Sequence, residues 1–158
     1  MRLSLRRQVR QRDDFACVYC GVTEAQVGSE LTIDHFQPRS AGGSDALENL
    51  LYCCFACNSF KGDLWNPGAV ERLLHPRRDN LVEHLRDEPD GTLTPLTPMG
   101  HFHCEQLQLN RPPLVANRLV RLRDQHADAE RQALLDELAQ TQQHLTALLA
   151  RFGIEPRP

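Results

Sequence analysis

The chain has 158 residues, 41% hydrophobic and 25% charged, which suits one folded domain with a short appended element and excludes a disordered chain. No apolar run approaches the ~18 residues that a membrane helix needs, and the basic N-terminus lacks the apolar stretch of a secretory signal, so a cytoplasmic location is expected. The net charge of −3 argues against a uniformly basic coat for nucleic acid, although residues 1–78 carry ten Lys/Arg against nine Asp/Glu while 79–158 carry eight against twelve.

The first twelve residues hold five Arg and no acid. They read either as a phosphate-contacting arm, with Arg6, Arg7 and Arg10 as candidates, or as a solvated helix face. Six cysteines in a cytosolic chain point to metal binding or catalysis before disulfides, because that compartment is reducing. Cys17 and Cys20 form a C-x2-C pair followed by Gly21, which tolerates the positive φ of a tight knuckle turn. Cys54 and Cys57 form a second pair. A tetrahedral zinc takes four thiolates at about 2.3 Å, and each C-x2-C turn aims two of them at one centre. Cys17, Cys20, Cys54 and Cys57 are therefore the expected structural zinc ligands. Cys53 is the alternative to Cys54, and Cys53 and Cys104 are otherwise expected in the core.

The 33 residues between the pairs exceed a simple ribbon, so something else occupies them. Residues 31–33 read as a strand with Asp34 and His35 at its end, pointing to opposite sides. Gly42 and Gly43 mark a turn, and Asn49, Leu50 and Leu51 lead into the second knuckle. A short helix is expected over residues 55–64, closed by Asn66, Pro67 and Gly68, with Cys54, Asn58 and Lys61 on one face. These elements, residues 1–68, form the first of three expected parts.

Residues 69–113 form the second, read as short strands or hairpins with a turn at Asp90 and Gly91. The stretch His101 to Leu109 alternates imperfectly, since Phe102 and Cys104 are out of phase with Leu107 and Leu109, and a bulged strand is expected there. Residues 114–158 form the third. Up to residue 152 they contain no Gly or Pro, and Leu134, Leu138, Leu145, Leu148 and Phe152 recur at helical spacings. One long amphipathic helix, or two in succession, is expected. Packing onto the chain's own core is preferred over a coiled-coil dimer, since Arg131 and Thr141 interrupt the seam, and monomer and dimer both stay open.

Chemistry concentrates between the knuckles. Hydrolysing a phosphodiester needs an activated water, positive charge on the phosphate and stabilisation of the leaving oxygen. One imidazole and one divalent cation supply all three. Asp34 and the amide oxygen of Asn58 are suitable oxygen ligands for Mg²⁺. His35, mostly neutral at pH 7 at its ordinary pKa, is the candidate base.

The order C-x2-C, Asp34-His35, Pro38, Gly42-Gly43, Asn49-Leu50, C-x2-C-Asn58, Lys61 resembles the zinc-bearing HNH endonucleases of the His-Me finger superfamily, over residues 12–65. The resemblance implies an α+β fold: a ββα-metal core with a four-cysteine structural zinc, followed here by short strands and a long C-terminal helix. It implies His35 as general base, Asp34 as metal ligand, Asn49 as the residue that braces the loop and orients the histidine, and Asn58 at the last metal-binding position. The commoner residue there is His. Asn offers a neutral oxygen, which favours Mg²⁺ or Mn²⁺ over softer metals. Lys61 and Arg39 become candidate phosphate contacts. The stretch from His75 to Arg118 is similar to a tail found behind some bacterial HNH domains, with no chemistry assigned to it. Within it His75, His84, His101 and His103 match no ligand spacing and read as structural. Arg77, Arg78, Arg111, Arg118, Arg121 and Arg123 are candidate backbone contacts. Tyr52, Phe55 and Trp65 are expected to finish the core.

The expected function is a metal-dependent endonuclease acting on DNA, with RNA also open, that leaves 5′-phosphate and 3′-hydroxyl ends as the resemblance implies. The rival is an inactive zinc-ribbon module that binds nucleic acid or protein. A plain ribbon has no need of Asp34, His35, Asn49 and Asn58 together.

Overall fold

Two short apolar stretches, residues 31–35 and 50–53, are the chain's best strand formers, and in the computed structural model they pair. The structure describes residues 3–153, with nothing of the side chains of Leu3 and Ser4, so Arg2 of the basic arm and residues 154–158 of the expected third part lie outside the described residues. Strand β1 (Thr32–His35) runs antiparallel to β2 (Leu50–Cys53) with Ile33 opposite Tyr52 and His35 opposite Leu50. All four residues of β2 are buried. Its apolar run is what a strand covered on both faces requires.

Helix α1 (Leu3–Arg12) precedes them and buries Val9 in the same core as β2. It stops where Asp14 and Phe15 adopt positive φ. The first knuckle follows, with Gly21 at φ 72°. Helix α2 (Glu24–Val27) carries a capping box between Thr23 and Gln26, so both ends of that pair satisfy orphan N–H groups. Helix α3 (Phe55–Lys61) starts at the second knuckle and is capped by Gly62, its last residue three positions before the expected stop at Leu64. The hairpin β1–β2 and α3 together make a ββα element.

Beyond it, β3 (Leu85–Asp87) pairs antiparallel with β4 (Leu93–Pro95) around the expected Asp90–Gly91 turn. The bulged strand expected near His101 is corrected: this segment is helix α4 (Pro98–Gln106). Thr97 caps it by accepting the Gly100 N–H, and Pro98 sits in the first turn, where its missing N–H costs nothing. Gly100, His103, Cys104 and Leu107 are the buried positions. Their spacing is helical, which explains why Cys104 and Leu107 looked out of phase for a strand.

Helix α5 (Pro112–Arg151) is one continuous element. The chain divides into two compact units, residues 1–119 and 120–158. In the first, Leu73, Cys104, Leu107, Leu109 and Leu114 join Val9, Leu31, Leu50, Leu51 and Tyr52 in one core. In the second, Leu134, Leu135, Leu138 and Leu145 are exposed, so the burial expected for this apolar stripe is not observed. Among the described residues no helix is long and apolar enough to cross a membrane.

Candidate functional site

The two knuckles converge. Cys17, Cys20, Cys54 and Cys57 place their sulfurs within 4.8 Å of one another, and Cys20 Sγ lies 3.8 Å from Cys54 Sγ. Four sulfurs at about 2.3 Å from a tetrahedral centre stand about 3.8 Å apart, so the cluster has the dimensions of a zinc site. Crowding splits the thiols: neighbouring S–H groups push Cys54 down, while Cys17 and Cys57 are pushed up by sharing protons with the others. Arg111 Nη2 lies 3.5 Å from Cys57 Sγ and 3.9 Å from Cys54 Sγ, a cation beside two of the four sulfurs. Its other N–H groups reach the Leu107 and Gln108 carbonyls, so Arg111 faces the cysteines and not a nucleic acid. No local signal marks it in the sequence. Cys53 is buried, and its sulfur lies against the Thr32 hydroxyl outside the cluster.

Next to the four-cysteine cluster, an open cleft of about 340 Å³ is lined by Asp34, His35, Arg39, Asn58 and Asp63. The Asp34 carboxylate is 4% exposed and held on both oxygens: Tyr19 donates its hydroxyl to one at 2.7 Å, and Lys61 Nζ stands 3.0 Å from the other. Burial and the Asp34 charge push the Tyr19 hydroxyl well above its ordinary pKa, so Tyr19 stays a donor. Lys61 also donates to the carbonyls of His35 and Gly62. Its side chain is fully buried, and the expectation of a phosphate contact there is corrected. The face shared with Cys54 and Asn58 points inward, toward β1.

Asn58 donates from Nδ2 to the Thr32 hydroxyl at 3.2 Å, and that hydroxyl in turn donates to the Cys53 carbonyl. The chain of donors fixes the amide, so Oδ1 is the atom left without a partner among the described residues. A cation taking oxygen ligands fits such a pair: a free amide oxygen on Asn58 and, on Asp34, lone pairs beyond those used by Tyr19 and Lys61.

His35 is paired through Nε2 with Asp45 Oδ1 at 2.7 Å. Arg39 Nε also lies 3.3 Å from that nitrogen, but the shorter contact is to a carboxylate, which only accepts; it assigns the proton to Nε2 and leaves Nδ1 its lone pair. His35 and Arg39 hold the Asp45 carboxyl below its ordinary pKa. Asp45 was not singled out in the sequence; its one signal is an acid in the Gly-rich loop between His35 and Asn49. Asn49 itself does not reach the imidazole. Its side chain accepts from the Gln37 N–H and donates to the carbonyls of Gln37 and Ser44, closing the loop that carries Asp45.

The arginine candidates separate. Arg6 binds Glu30 and the Leu31 carbonyl, Arg10 binds Glu24 through two hydrogen bonds, Arg39 is exposed but paired with Asp45 at 2.6 Å, and Arg7 is exposed. Arg118 is buried, donating to the carbonyls of Gly91 and Leu109, which corrects its expected place on a nucleic-acid face. Phe55 is 76% exposed, not in the core. The remaining histidines are dispersed. His84 pairs with Thr97, His101 lies near Glu105, and His103 accepts the Leu74 N–H through Nδ1. Among the described residues the four cysteines are the one group of three or more such side chains able to hold a metal.

Residues 17–64 match the family model described as HNH endonuclease, the family their motif order resembles. No curated protein and no solved structure matches the chain.

Proposed function

We propose that this HNH domain, whose family implies a nucleic-acid substrate, hydrolyses phosphodiester bonds of DNA with His35 as general base, Asp34 and Asn58 as ligands for Mg²⁺ or Mn²⁺, and the four cysteines around a structural zinc. One observation carries the reading: Asp34, His35 and Asn58 line a single open cleft, and the base is oriented by a carboxylate at 2.7 Å. Bound in that cleft, a divalent cation supplies Lewis-acid charge against the phosphate. The chain's own residues do the rest. Asp45 holds the Nε2–H tautomer of His35 and stabilises the imidazolium that forms when Nδ1 takes a proton from water. Lys61 and Tyr19 fix the Asp34 carboxylate, and Lys61 also holds the His35 backbone. Arg39, exposed at the cleft beside Asp45, is the candidate there to meet a phosphate, with Arg7 in the first helix a second candidate.

His35→Ala tests the assignment. The variant should lose about 10²–10⁴-fold of plasmid cleavage while keeping the zinc content and melting temperature of the parent. Cleavage at the parental rate would remove His35 as the base.

A further inference from the structure

Phe36, the residue after His35, turns away from the cleft and forms one wall of a second cavity. This cavity holds about 230 Å³, is open on one side, and is lined by Phe36, Leu64, Trp65, Leu73, His75 and Arg78 among others. The Phe36 ring meets Trp65 edge-on at 5.8 Å and packs at 4.3 Å on the His75 ring. Three π-systems thus surround one small space. Beside it, a cavity of about 310 Å³ shares His75 and Arg78 and adds Arg12 and Arg77. Arg78 is exposed, and among the described residues its guanidinium makes one long 3.5 Å contact, to the Glu48 carbonyl.

His75 carries the second observation. Its Nδ1 accepts the Arg77 N–H at 3.1 Å, so in the neutral ring the proton sits on Nε2. That Nε2 is buried, with the Glu48 carbonyl as its acceptor at poor geometry. Burial, with the charge of Arg78, pushes the His75 pKa down against the opposing pull of Asp79 and the Glu48 carbonyl, so the ring stays neutral.

We infer that the Phe36–Trp65–His75 cavity receives one unpaired nucleobase of the substrate strand, with Arg78 on a flanking phosphate, while Arg77 is held by Asp13 at 3.0 Å. Aromatic walls suit a base because every base has a π-face. The neutral His75 ring adds a stacking face, and Arg78 meets charge that a plain apolar ligand would not bring. A base inside a duplex is stacked and paired and cannot enter, so the preferred substrate presents an unpaired nucleotide, in a single strand, loop or junction, close to the scissile phosphate. The inference rests on the nuclease reading for its substrate and on the cavity for its specificity.

Trp65 is the chain's one tryptophan, so its emission reports on this cavity. Zinc-loaded full-length protein is titrated, without Mg²⁺ or Mn²⁺, with a thymidylate 12-mer, a uridylate 12-mer, an abasic strand of equal length, and a blunt duplex. The base-bearing strand should quench Trp65 and bind about tenfold or more tighter than the abasic strand. The thymidylate and uridylate arms assign the strand as DNA or RNA. Arg78→Gln should weaken base-bearing and abasic strands alike. Equal affinity for both, or Trp65 emission that does not respond to a bound strand, overturns the inference. Protein that cuts duplex plasmid without base-dependent quenching defeats the cavity alone, and protein that quenches but never cuts defeats hydrolysis alone.

Discussion

Lys61 is the chain's single lysine, and its ammonium lies between the Asp34 carboxylate and the His35 carbonyl. Its position after the second knuckle was legible. Its partner was not, because the pair forms only when α3 packs on β1, and nothing in the spacing says which way that helix face turns. Removing one member of a buried ion pair leaves the other charge without compensation, so Lys61→Met should cost about 3–5 kcal/mol in urea unfolding, and adding Asp34→Asn should restore part of it. Unchanged stability with weakened DNA binding would instead return Lys61 to the surface role. His103 gives the pH dependence at this scale. Burial lowers its pKa from 6.5 to about 4, so it is neutral in the folded chain. Between those values the unfolded chain binds more protons. Stability from this group is therefore complete above pH 6.5 and falls as pH drops toward 4, by about 3 kcal/mol. His103→Gln, which cannot take the proton, should flatten that part of the stability curve. An equally steep curve in the variant would contradict it.

Among the elements, those built on local chemistry were readable and those built on packing were not. The C-x2-C turns, the Asp90–Gly91 hairpin and the long Gly-free helix each follow from residue types within a few positions. Helix α4 was missed because its apolar set is short and its imperfect alternation reads as a bulged strand, and the burial of His103 is decided by residues far along the chain. The loop from Gln37 to Asn49 is the sharpest case of a constraint invisible to periodicity. A Cβ on Gly43 would fall 1.8 Å from the Gln37 carbonyl oxygen and 3.0 Å from Asn49 Nδ2. Gly43→Ala must therefore push this loop off β1 and carry Asp45 away from His35. We expect cleavage to drop about a hundredfold with zinc retained, measured as initial nicking rate and metal content. Full activity would mean that Asp45 does not orient the base.

At the scale of the whole molecule, the candidate site was legible as a constellation before any coordinates: four cysteines, Asp34, His35 and Asn58 are neighbours in space as their order suggested. What surrounds them was hidden, since Tyr19, Asp45 and Arg111 act through contacts between separate segments. The net charge of −3 also said little about the partner, because charge is distributed by site and a bound cation adds to it locally. The most direct measurement is incubation of supercoiled plasmid with the zinc-loaded chain in Mg²⁺, in Mn²⁺ and without added divalent cation, alongside His35→Ala. We expect nicked or linear products with 5′-phosphate ends from the parent in Mg²⁺ or Mn²⁺, and none from the variant or without the cation. A parent chain that binds DNA but leaves the plasmid intact across metal and salt conditions would contradict the account and leave a zinc-bearing binding module.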